Sequence, residues 1–349
     1  MPRGNFYEDF HIGQRFQHPL PRTVTDADAT LYVALTGTRN PVTSSAPLAK
    51  SLGYRARPLD DLLVFNMVFG KTVTDISLNA VANLGYADVR FLAPVYDGDT
   101  LAASSIVIGL RETSGGDSGV VYVRSEAVNQ NGQPVLTWVR WVLVRKRTAV
   151  SGDGTDVRPD LPSFVPADRL AVPTGAVDLE LLSRATGSTS CWEDYIPSQR
   201  LDHSAGMTVE EADHMSATRL YQNDAKVHFD GLMMRGTRHG RRLVYGGHVI
   251  SLCRALASDG LENILAILAI NGGTHVAPTF ADDTLYSVTQ VIDTMTVPDR
   301  HDVGVLRLRL IGLRDLPPSD FDWDGDAATL RGHPNVVLDL DYSVLLPRR

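Results

Sequence analysis

Cysteine is scarce in this chain: only Cys191 and Cys253 occur among 349 residues. Neither lies in a CxxC pair or at a Cys/His spacing suited to zinc, so the sequence offers no disulfide framework and no metal site. Both side chains are expected to be buried thiols.

Long apolar runs and excess positive charge are also missing. There is no stretch of eighteen apolar residues, and the opening MPRGNFYEDF lacks the apolar block of a secretory signal. The 33 basic and 41 acidic residues give a formal charge of -8, with the acids scattered along the chain. Bulk charge therefore attracts neither nucleic acid nor an anionic membrane, and we expect a cytoplasmic protein that binds neither.

What the sequence does contain is an internal repeat. YEDFHIGQRFQH (7–18) aligns without a gap to WEDYIPSQRLDH (192–203), and FLAPVYDGDTL (91–101) matches HVAPTFADDTL (275–285). Landmarks in the same order in both halves predict two copies of one domain fused in tandem. The pair His18 and His203, which matches in this repeat, is expected to have a structural role common to both copies.

The join between the copies is predicted from composition. Residues 148–175 are rich in Pro, Gly and Asp and have no sustained apolar period, which is typical of a surface linker. We therefore assign an N-terminal domain to residues 1–150, a linker to 151–175 and a C-terminal domain to 176–349. Each copy then has the usual size of a domain.

Both halves have the same order of predicted elements. An apolar helix, LLVFNMVFGKTV in the first half and HVISLCRALASDGL in the second, precedes several alternating, β-branched strands. QNGQ has the composition of a hairpin turn between two of these strands. The expected fold class is α+β, with an antiparallel sheet wrapped around a long helix in each half.

This arrangement resembles the tandem, or double, hotdog fold of MaoC-like (R)-specific enoyl-CoA hydratases. TGTRNPVTSSA (36–46) is similar to the motif Gly-Asp-x-Asn-Pro-(Leu/Ile/Val)-His of that family, with Gly37, Asn40 and Pro41 in place. Thr38 and Thr43 stand where the reacting Asp and His belong. Threonine cannot exchange a proton near neutral pH, so the first half is expected to be catalytically silent.

The second half departs from the motif differently. RLYQNDAKVHFD (219–230) keeps the histidine as His228, and Asn223 occupies the position of the aspartate. Over nearly the full length, segments such as FGKTVTDISLNAVANLGYADVRF and RRLVYGGHVISL resemble the mesaconyl-CoA hydratase family. The resemblance implies reversible addition of water to mesaconyl-CoA, an acyl-CoA thioester, with no cofactor beyond the CoA of the substrate and no metal.

Hydration needs a base, an acid and donors for the charge on the thioester oxygen, and the missing Asp leaves two arrangements open. If the irregular backbone of the family is kept, Asn223 faces His228, positions a water and leaves the proton chemistry to the imidazole. If the segment forms a regular helix, Asp224 lies four residues from His228 on one face and replaces the lost acid. The first arrangement is favoured, because the family resemblance covers Asn223 and His228 but not Asp224, and Asp230 then becomes an orienting or structural residue.

A turn-like stretch before the second apolar helix supplies candidate binding residues: Tyr245, Gly246, Gly247 and His248. Its glycines would let a thioester oxygen approach backbone N–H groups at a helix N-terminus, and Gly247 is the predicted donor. The corresponding first-half stretch, PLDDLL, carries Asp60 and Asp61, which would repel an enolate. One site per chain, in the second half, is therefore expected.

Four arginines precede this stretch in MRGTRHGRR: Arg235, Arg238, Arg241 and Arg242. A bidentate guanidinium suits the free carboxylate that lies beyond the double bond of the substrate, and Arg238 and Arg242 are the candidates. A clamp for CoA phosphates and a solvated basic loop remain alternatives.

Other functions on the same fold stay open at the level of sequence. Hotdog proteins also include thioesterases, which cut the thioester, and the missing Asp admits a non-catalytic acyl-CoA-binding protein. Because hotdog sheets commonly pair edge to edge, a homo-oligomer is expected.

Overall fold

The computed structural model describes residues 4–149, 154–173 and 175–349. Its first-half strands are β1 (Arg15–Gln17), β2 (Arg22–Thr23), β3 (Ala80–Phe91), β4 (Thr100–Glu112), β5 (Ser118–Val128) and β6 (Pro134–Arg145). A short strand β7 (Asp156–Val157) follows. The remaining strands are β8 (Arg200–Thr208), β9 (Ala266–His275), β10 (Thr284–Thr296), β11 (Val303–Arg314) and β12 (Val336–Pro347).

The helices lie between groups of these strands. In the first half they are α1 (Asp26–Thr36), α2 (Pro41–Ser44), α3 (Ala46–Ser51) and α4 (Asp61–Thr72), with a π-helical turn at Val73–Ser77. The later helices are α5 (Leu179–Thr186), α6 (Glu211–Leu220), α7 (Gly231–Arg235), α8 (Gly246–Leu256) and α9 (Ala327–Leu330). In the described ranges, none of these helices is both long and apolar enough to cross a membrane.

The long strands of both halves form one continuous antiparallel sheet. Its order is β1-β4-β5-β6-β3-β9-β12-β11-β10-β8, and β2 and β7 pair with β4. The halves join where β3 meets β9, with Tyr86 opposite Gly273 and Arg90 opposite Ala269. Each half-sheet curls around one apolar helix, α4 or α8, as the sequence predicts.

The central helices are apolar on nearly every face because each is enclosed. Residues 62–72 of α4 are all buried, and so are residues 247–253 of α8. One hydrophobic core includes side chains of both halves, among them Phe65 and Tyr86 from the first and Tyr245 and Ile250 from the second. The two copies therefore share a core, although each contributes its own helix and strands.

The repeated histidines have the predicted structural role. His18 bonds Asp75 Oδ2 and Ser105 Oγ, both at 2.7 Å. His203 bonds the carbonyl of Asp259 and Thr289 Oγ1, both at 2.9 Å. Each ring thus ties the N-terminal segment of its copy to the equivalent strand of its half-sheet, β4 for His18 and β10 for His203.

The cysteines also agree with expectation, since Cys191 and Cys253 are free and buried. Part of the predicted linker, residues 151–153 and 174, lies outside the described residues. Elsewhere in the linker β7 adds to the edge of β4, and the Val165 N–H donates to Asn271 Oδ1 at 2.9 Å. The domain limits at 150 and 175 stay a prediction.

Candidate active site

The segment that carries His228 is irregular. Helix α6 ends at Leu220, and Gln222 follows in the left-handed region at φ +54°. Gly37, the aligned residue of the first half, ends α1 in the same region at φ +69°. A single 3₁₀ turn then spans Lys226–His228. Because no regular helix runs from 224 to 228, the condition under which Asp224 shares a helical face with His228 is not met.

His228 is held in one tautomer. Its Nδ1 lies 3.0 Å from the carbonyl oxygen of Leu243. A carbonyl can only accept, so Nδ1 carries the proton and Nε2 keeps its lone pair. Burial lowers the pKa of His228 to about 4, against a smaller upward effect of the Leu243 carbonyl. The half-buried imidazole is therefore neutral at pH 7 and able to accept a proton at Nε2.

Asn223 lies at the start of the same turn and is 5% exposed. Its Oδ1 accepts the backbone N–H of Ala225 at 2.9 Å, which leaves Nδ2 as the group that can donate to a water or substrate oxygen. Asp224 instead accepts a hydrogen bond from Thr74 Oγ1 of the first half at 2.9 Å. The roles predicted for Asn223, Asp224 and His228 stay predictions.

The glycine stretch lies where the sequence places it, at the N-terminus of a helix. Helix α8 begins at Gly246, and Tyr245 precedes it without a side-chain cap. Across the described ranges, the N–H groups of Gly246 and Gly247 donate to no other residue. A methyl group on Gly247 would lie 2.0 Å from Asn66 Oδ1, and one on Gly246 2.4 Å from His275 Nε2. A side chain at either position would therefore force these neighbouring side chains to move, and the helix dipole favours negative charge at these amides.

The equivalent amide of the first half is occupied. Asp60 Oδ1 accepts the N–H of Leu62 at 2.9 Å, and Leu62 is the second residue of α4 as Gly247 is of α8. Thr38 Oγ1 donates to the other Asp60 oxygen at 3.2 Å. The cavity at this degenerate motif measures about 30 Å³, room for about one water. These contacts favour a silent first half, which stays a prediction.

Asp61 is the first residue of α4 and lines a larger cavity. Its Oδ2 accepts the N–H of Ile267 at 2.8 Å. Burial, followed by the nearby charge of Asp60, raises the pKa of Asp61 to about 7. The adjoining cavity of about 280 Å³ is lined by Asp61, Tyr54 and Phe91 among others, and His228 is not among its lining residues.

Tyr245 and His248 flank the glycines in different ways. The Tyr245 ring packs edge-on to His228 with centroids 5.6 Å apart, and its buried hydroxyl has no hydrogen-bond partner among the described residues. His248 is 1% exposed, and its Nδ1 lies 3.4 Å from Tyr221 Oη. Burial lowers the pKa of His248 to about 3. The substrate contact predicted for His248 therefore requires access that its side chain lacks in this conformation.

The predicted basic cluster lies at the surface. Arg238 is exposed and its Nε donates to His239 Nε2 at 3.1 Å. Arg242 is half-buried and its Nε donates to Glu211 Oε1 at 2.7 Å. Of the two candidates, Arg242 is the nearer to the site, because its Nη1 also donates to the carbonyl of Phe229 at 3.3 Å.

His275, which the sequence analysis left among ordinary histidines, lies in this site. Its Nε2 is 3.3 Å from Tyr86 Oη, and its ring packs on Gly246. Burial lowers the pKa of His275 to about 4, and the neighbouring His228 adds to the effect. The repeat could have identified His275 as a site residue, because it replaces Phe91 in the copy that keeps the motif histidine. In the described ranges, no cluster of three or more His, Cys, Asp or Glu side chains is arranged for a metal ion.

Solved structures define the class. A MaoC domain protein dehydratase from Chloroflexus aurantiacus has a TM-score of 0.94 to this chain at 50% identity, covering 99% of this chain and 98% of that one. A Mycobacterium tuberculosis protein described as having a double hotdog fold has a TM-score of 0.75 at 26% identity and covers 99% of both chains. The predicted fold is confirmed, and the molecule is a MaoC-like double hotdog protein.

Sequence comparison then gives the family. The protein-family model described as mesaconyl-CoA hydratase matches residues 1–315 of this chain. The chain is 51% identical over 346 residues to a β-methylmalyl-CoA dehydratase of Chloroflexus aurantiacus, covering 99% of this chain and 98% of that protein. It is 46% identical over 345 residues to a mesaconyl-CoA hydratase of Cereibacter sphaeroides, with the same two coverages. The chain belongs to the mesaconyl-CoA hydratase family.

Proposed function

We propose that this protein is a hydro-lyase that adds water reversibly to the double bond of mesaconyl-CoA to give β-methylmalyl-CoA. Family membership over nearly the full chain supports this activity. The observation that carries the mechanism is the position of His228: its Nδ1 is held by the Leu243 carbonyl, and its ring packs on Tyr245, the residue before the two unpaired amides that begin α8. We further propose that the reaction needs no cofactor apart from the CoA of the substrate.

In this mechanism His228 carries out both proton transfers, first as the base and then as the acid. Nε2 removes a proton from water as the oxygen bonds to the carbon β to the thioester carbonyl. The electron pair of the double bond moves toward that carbonyl, and the developing negative charge on its oxygen is held by the N–H groups of Gly247 and Gly246. The imidazolium then returns the proton to the α-carbon, so one water is added and the base is restored. Asn223 Nδ2 positions the water.

Turnover of mesaconyl-CoA by the purified protein tests the proposal. Mass spectrometry should find a product that is heavier by one water, with the thioester intact. His228→Gln should lower kcat about 10²- to 10⁴-fold, because the proton transfer is lost. His301→Gln, which changes an exposed histidine, is the matched control and should keep wild-type activity.

Each competing function predicts a different result of the same assay. Release of free CoA, detected with a thiol reagent, would identify a thioesterase. Binding of mesaconyl-CoA without turnover would identify an acyl-CoA-binding protein. Full activity in His228→Gln would contradict the mechanism while leaving the reaction in place.

Homo-oligomerisation and a cytoplasmic location remain proposals. The outer strands β1 and β8 end the sheet in the described chain and are the edges through which hotdog subunits would pair. Light scattering of the purified protein and fractionation of cells that produce it would test the two proposals.

A further inference from the structure

A buried arginine that the mechanism does not use lies on β6. Arg140 is 1% exposed, and its guanidinium carbon lies 4.1 Å from the centre of the Phe69 ring. Its Nη2 donates to Thr72 Oγ1 at 2.8 Å and its Nη1 to Ser77 Oγ at 3.3 Å. Its Nε is buried without a partner in the described chain. Both hydroxyl acceptors are neutral, so these contacts leave the positive charge uncompensated.

The wider surroundings of Arg140 do not balance this charge either. Burial lowers its pKa to about 10, and the groups that act in the other direction are Tyr86 and Tyr245. No carboxylate is among them. A fully buried cation is costly to fold unless an anion accompanies it. An anion that arrives with a ligand would supply the missing partner.

Arg140 is linked to the proposed reaction centre by two tyrosines. Tyr86 pairs with it across β3 and β6, and the Tyr86 hydroxyl lies 3.3 Å from His275 Nε2. The Tyr245 ring packs against His228, and its hydroxyl is a second buried polar group without a partner among the described residues. Arg140 and Tyr245 thus each carry an unsatisfied buried donor, and the charge of Arg140 acts on the Tyr245 hydroxyl.

In the second half, the position on β12 that is equivalent to Arg140 of β6 is not a cation. The repeat places Tyr86 at the position of Ile270, since Ala93-Pro94 matches Ala277-Pro278. Tyr86 pairs with Arg140, and Ile270 pairs with Tyr342 in the same way. Tyr342 is therefore the counterpart of Arg140 at the other end of the core, where the degenerate first-half motif begins at Gly37.

At the end of the core that holds the degenerate motif, the arginine lies on helix α8 instead. Arg254 is the ninth residue of α8, as Phe69 is of α4. Its charge lowers the pKa of Asp60 and of Asp61, which begin the first-half helix, against the larger upward effect of burial. The chain thus provides carboxylates for the arginine at that end. Tyr245 and Gly246, neither of which carries a carboxylate, hold the corresponding positions at the His228 end.

We propose that Arg140 binds the free carboxylate of the substrate, the group on the far side of the double bond from the thioester. This inference rests on the proposed function, because it assigns a subsite to that reaction. Guanidinium Nε and one Nη form the fork that a carboxylate accepts in bidentate fashion, and the Tyr245 hydroxyl is a third donor. Because the guanidinium is closed to solvent, side chains between it and His228 move when substrate enters. The exposed Arg238 and the Glu211-paired Arg242 are then left to contact CoA.

Paired substrates test the assignment. Mesaconyl-CoA is compared with 2-methylcrotonyl-CoA, which carries a methyl group in place of the carboxylate. Arg140→Met should lower kcat/KM for mesaconyl-CoA about 10²- to 10³-fold and change that for 2-methylcrotonyl-CoA less than about threefold. Arg184→Met, which removes an exposed arginine, is the control and should leave both values unchanged.

The outcomes separate the inference from the proposed function. Wild-type protein that fails to hydrate mesaconyl-CoA defeats the proposed function. If wild type is active but Arg140→Met loses both substrates equally, or neither, the carboxylate subsite is overturned. Thermal melting checks that the variant is folded, which is expected because methionine replaces a buried charge with an apolar side chain.

A second comparison keeps the test decisive if Arg140→Met does not fold. Arg140→Lys keeps the charge but loses the fork, and should lower kcat/KM about tenfold for mesaconyl-CoA alone. If neither variant folds, wild type decides: equal kcat/KM for the two substrates would overturn the subsite.

Discussion

At the scale of single residues, the protonation state of His228 is set by its surroundings. Burial lowers its pKa to about 4, so the imidazole stays neutral and able to act as a base until the pH falls to that value. We expect kcat/KM to change less than about twofold between pH 7 and 5.5, whereas an unperturbed histidine would lose about tenfold. Rate measurements across this range, with circular dichroism to verify folding, check the expectation. An acid limb near pH 6.5 would contradict it.

The two candidate partners of His228 differ in what their side chains contact. Asn223 accepts the Ala225 N–H through Oδ1 and keeps Nδ2 as a donor, whereas Asp224 accepts from Thr74. Asn223→Ala should lower kcat about 10²-fold, because the attacking water loses its positioning group. Asp224→Asn keeps an acceptor for Thr74 and should lower kcat less than about threefold. Steady-state kinetics of the two variants decide between the partners, and the reverse order would restore Asp224 as the acid.

At the scale of elements, one close contact joins the central helix of the first half to the loop of the second. A methyl group on Gly70 of α4 would lie 1.9 Å from the carbonyl oxygen of Tyr221 and 3.4 Å from the backbone nitrogen of Asn223. The helix can approach this loop only because residue 70 has no side chain. The turn that carries Asn223 is thereby fixed against a rigid helix.

Gly70→Ala should therefore damage both stability and activity. We expect the free energy of unfolding to fall by about 3 kcal/mol, because backbone atoms must shift to admit the methyl group. kcat/KM should fall about tenfold or more as the loop is displaced. Gly332→Ala is the control: that site has open space and should change stability by less than about 0.5 kcal/mol. Denaturant melts and steady-state rates measure both effects, and a neutral Gly70→Ala would show that the contact is unimportant.

At the scale of the whole molecule, the shared core predicts cooperative unfolding. The continuous sheet through β3 and β9, and a core with side chains from both halves, make each copy a support for the other. We expect one unfolding transition for the full chain, although its length would allow two.

Tryptophan fluorescence can follow the halves separately. One protein keeps Trp138 and Trp141 of the first half, with Trp192 and Trp323 replaced by Phe, and a second protein keeps the opposite pair. The guanidinium midpoints measured from the two proteins should coincide once each is corrected for the stability change of its own substitutions. Clearly separated midpoints would mean that the halves fold independently.

Local patterns in the sequence were enough for the architecture. Repeated landmarks, apolar helices and alternating strands predict two copies of a helix wrapped by an antiparallel sheet, which the resemblance to the MaoC-like family implies is a hotdog fold, and the matched His18 and His203 predict a shared structural role. The start of α8 at Gly246 also follows from the local glycine pair. These features depend on neighbours in the chain or on comparison of one copy with the other, so a linear reading reaches them.

Contacts between distant segments were decided only by the tertiary structure. The left-handed Gln222 removes the regular helix that would have placed Asp224 beside His228, and the β3 pairing brings Arg140 toward Tyr86. In the linear sequence Arg140 is one charged residue in an alternating strand. Only the folded structure shows that no carboxylate is among the groups that raise its pKa. The sequence by itself determined two copies of one fold with a single motif histidine. Folding decided which groups surround that histidine, because burial and pairing arise from residues far apart along the chain.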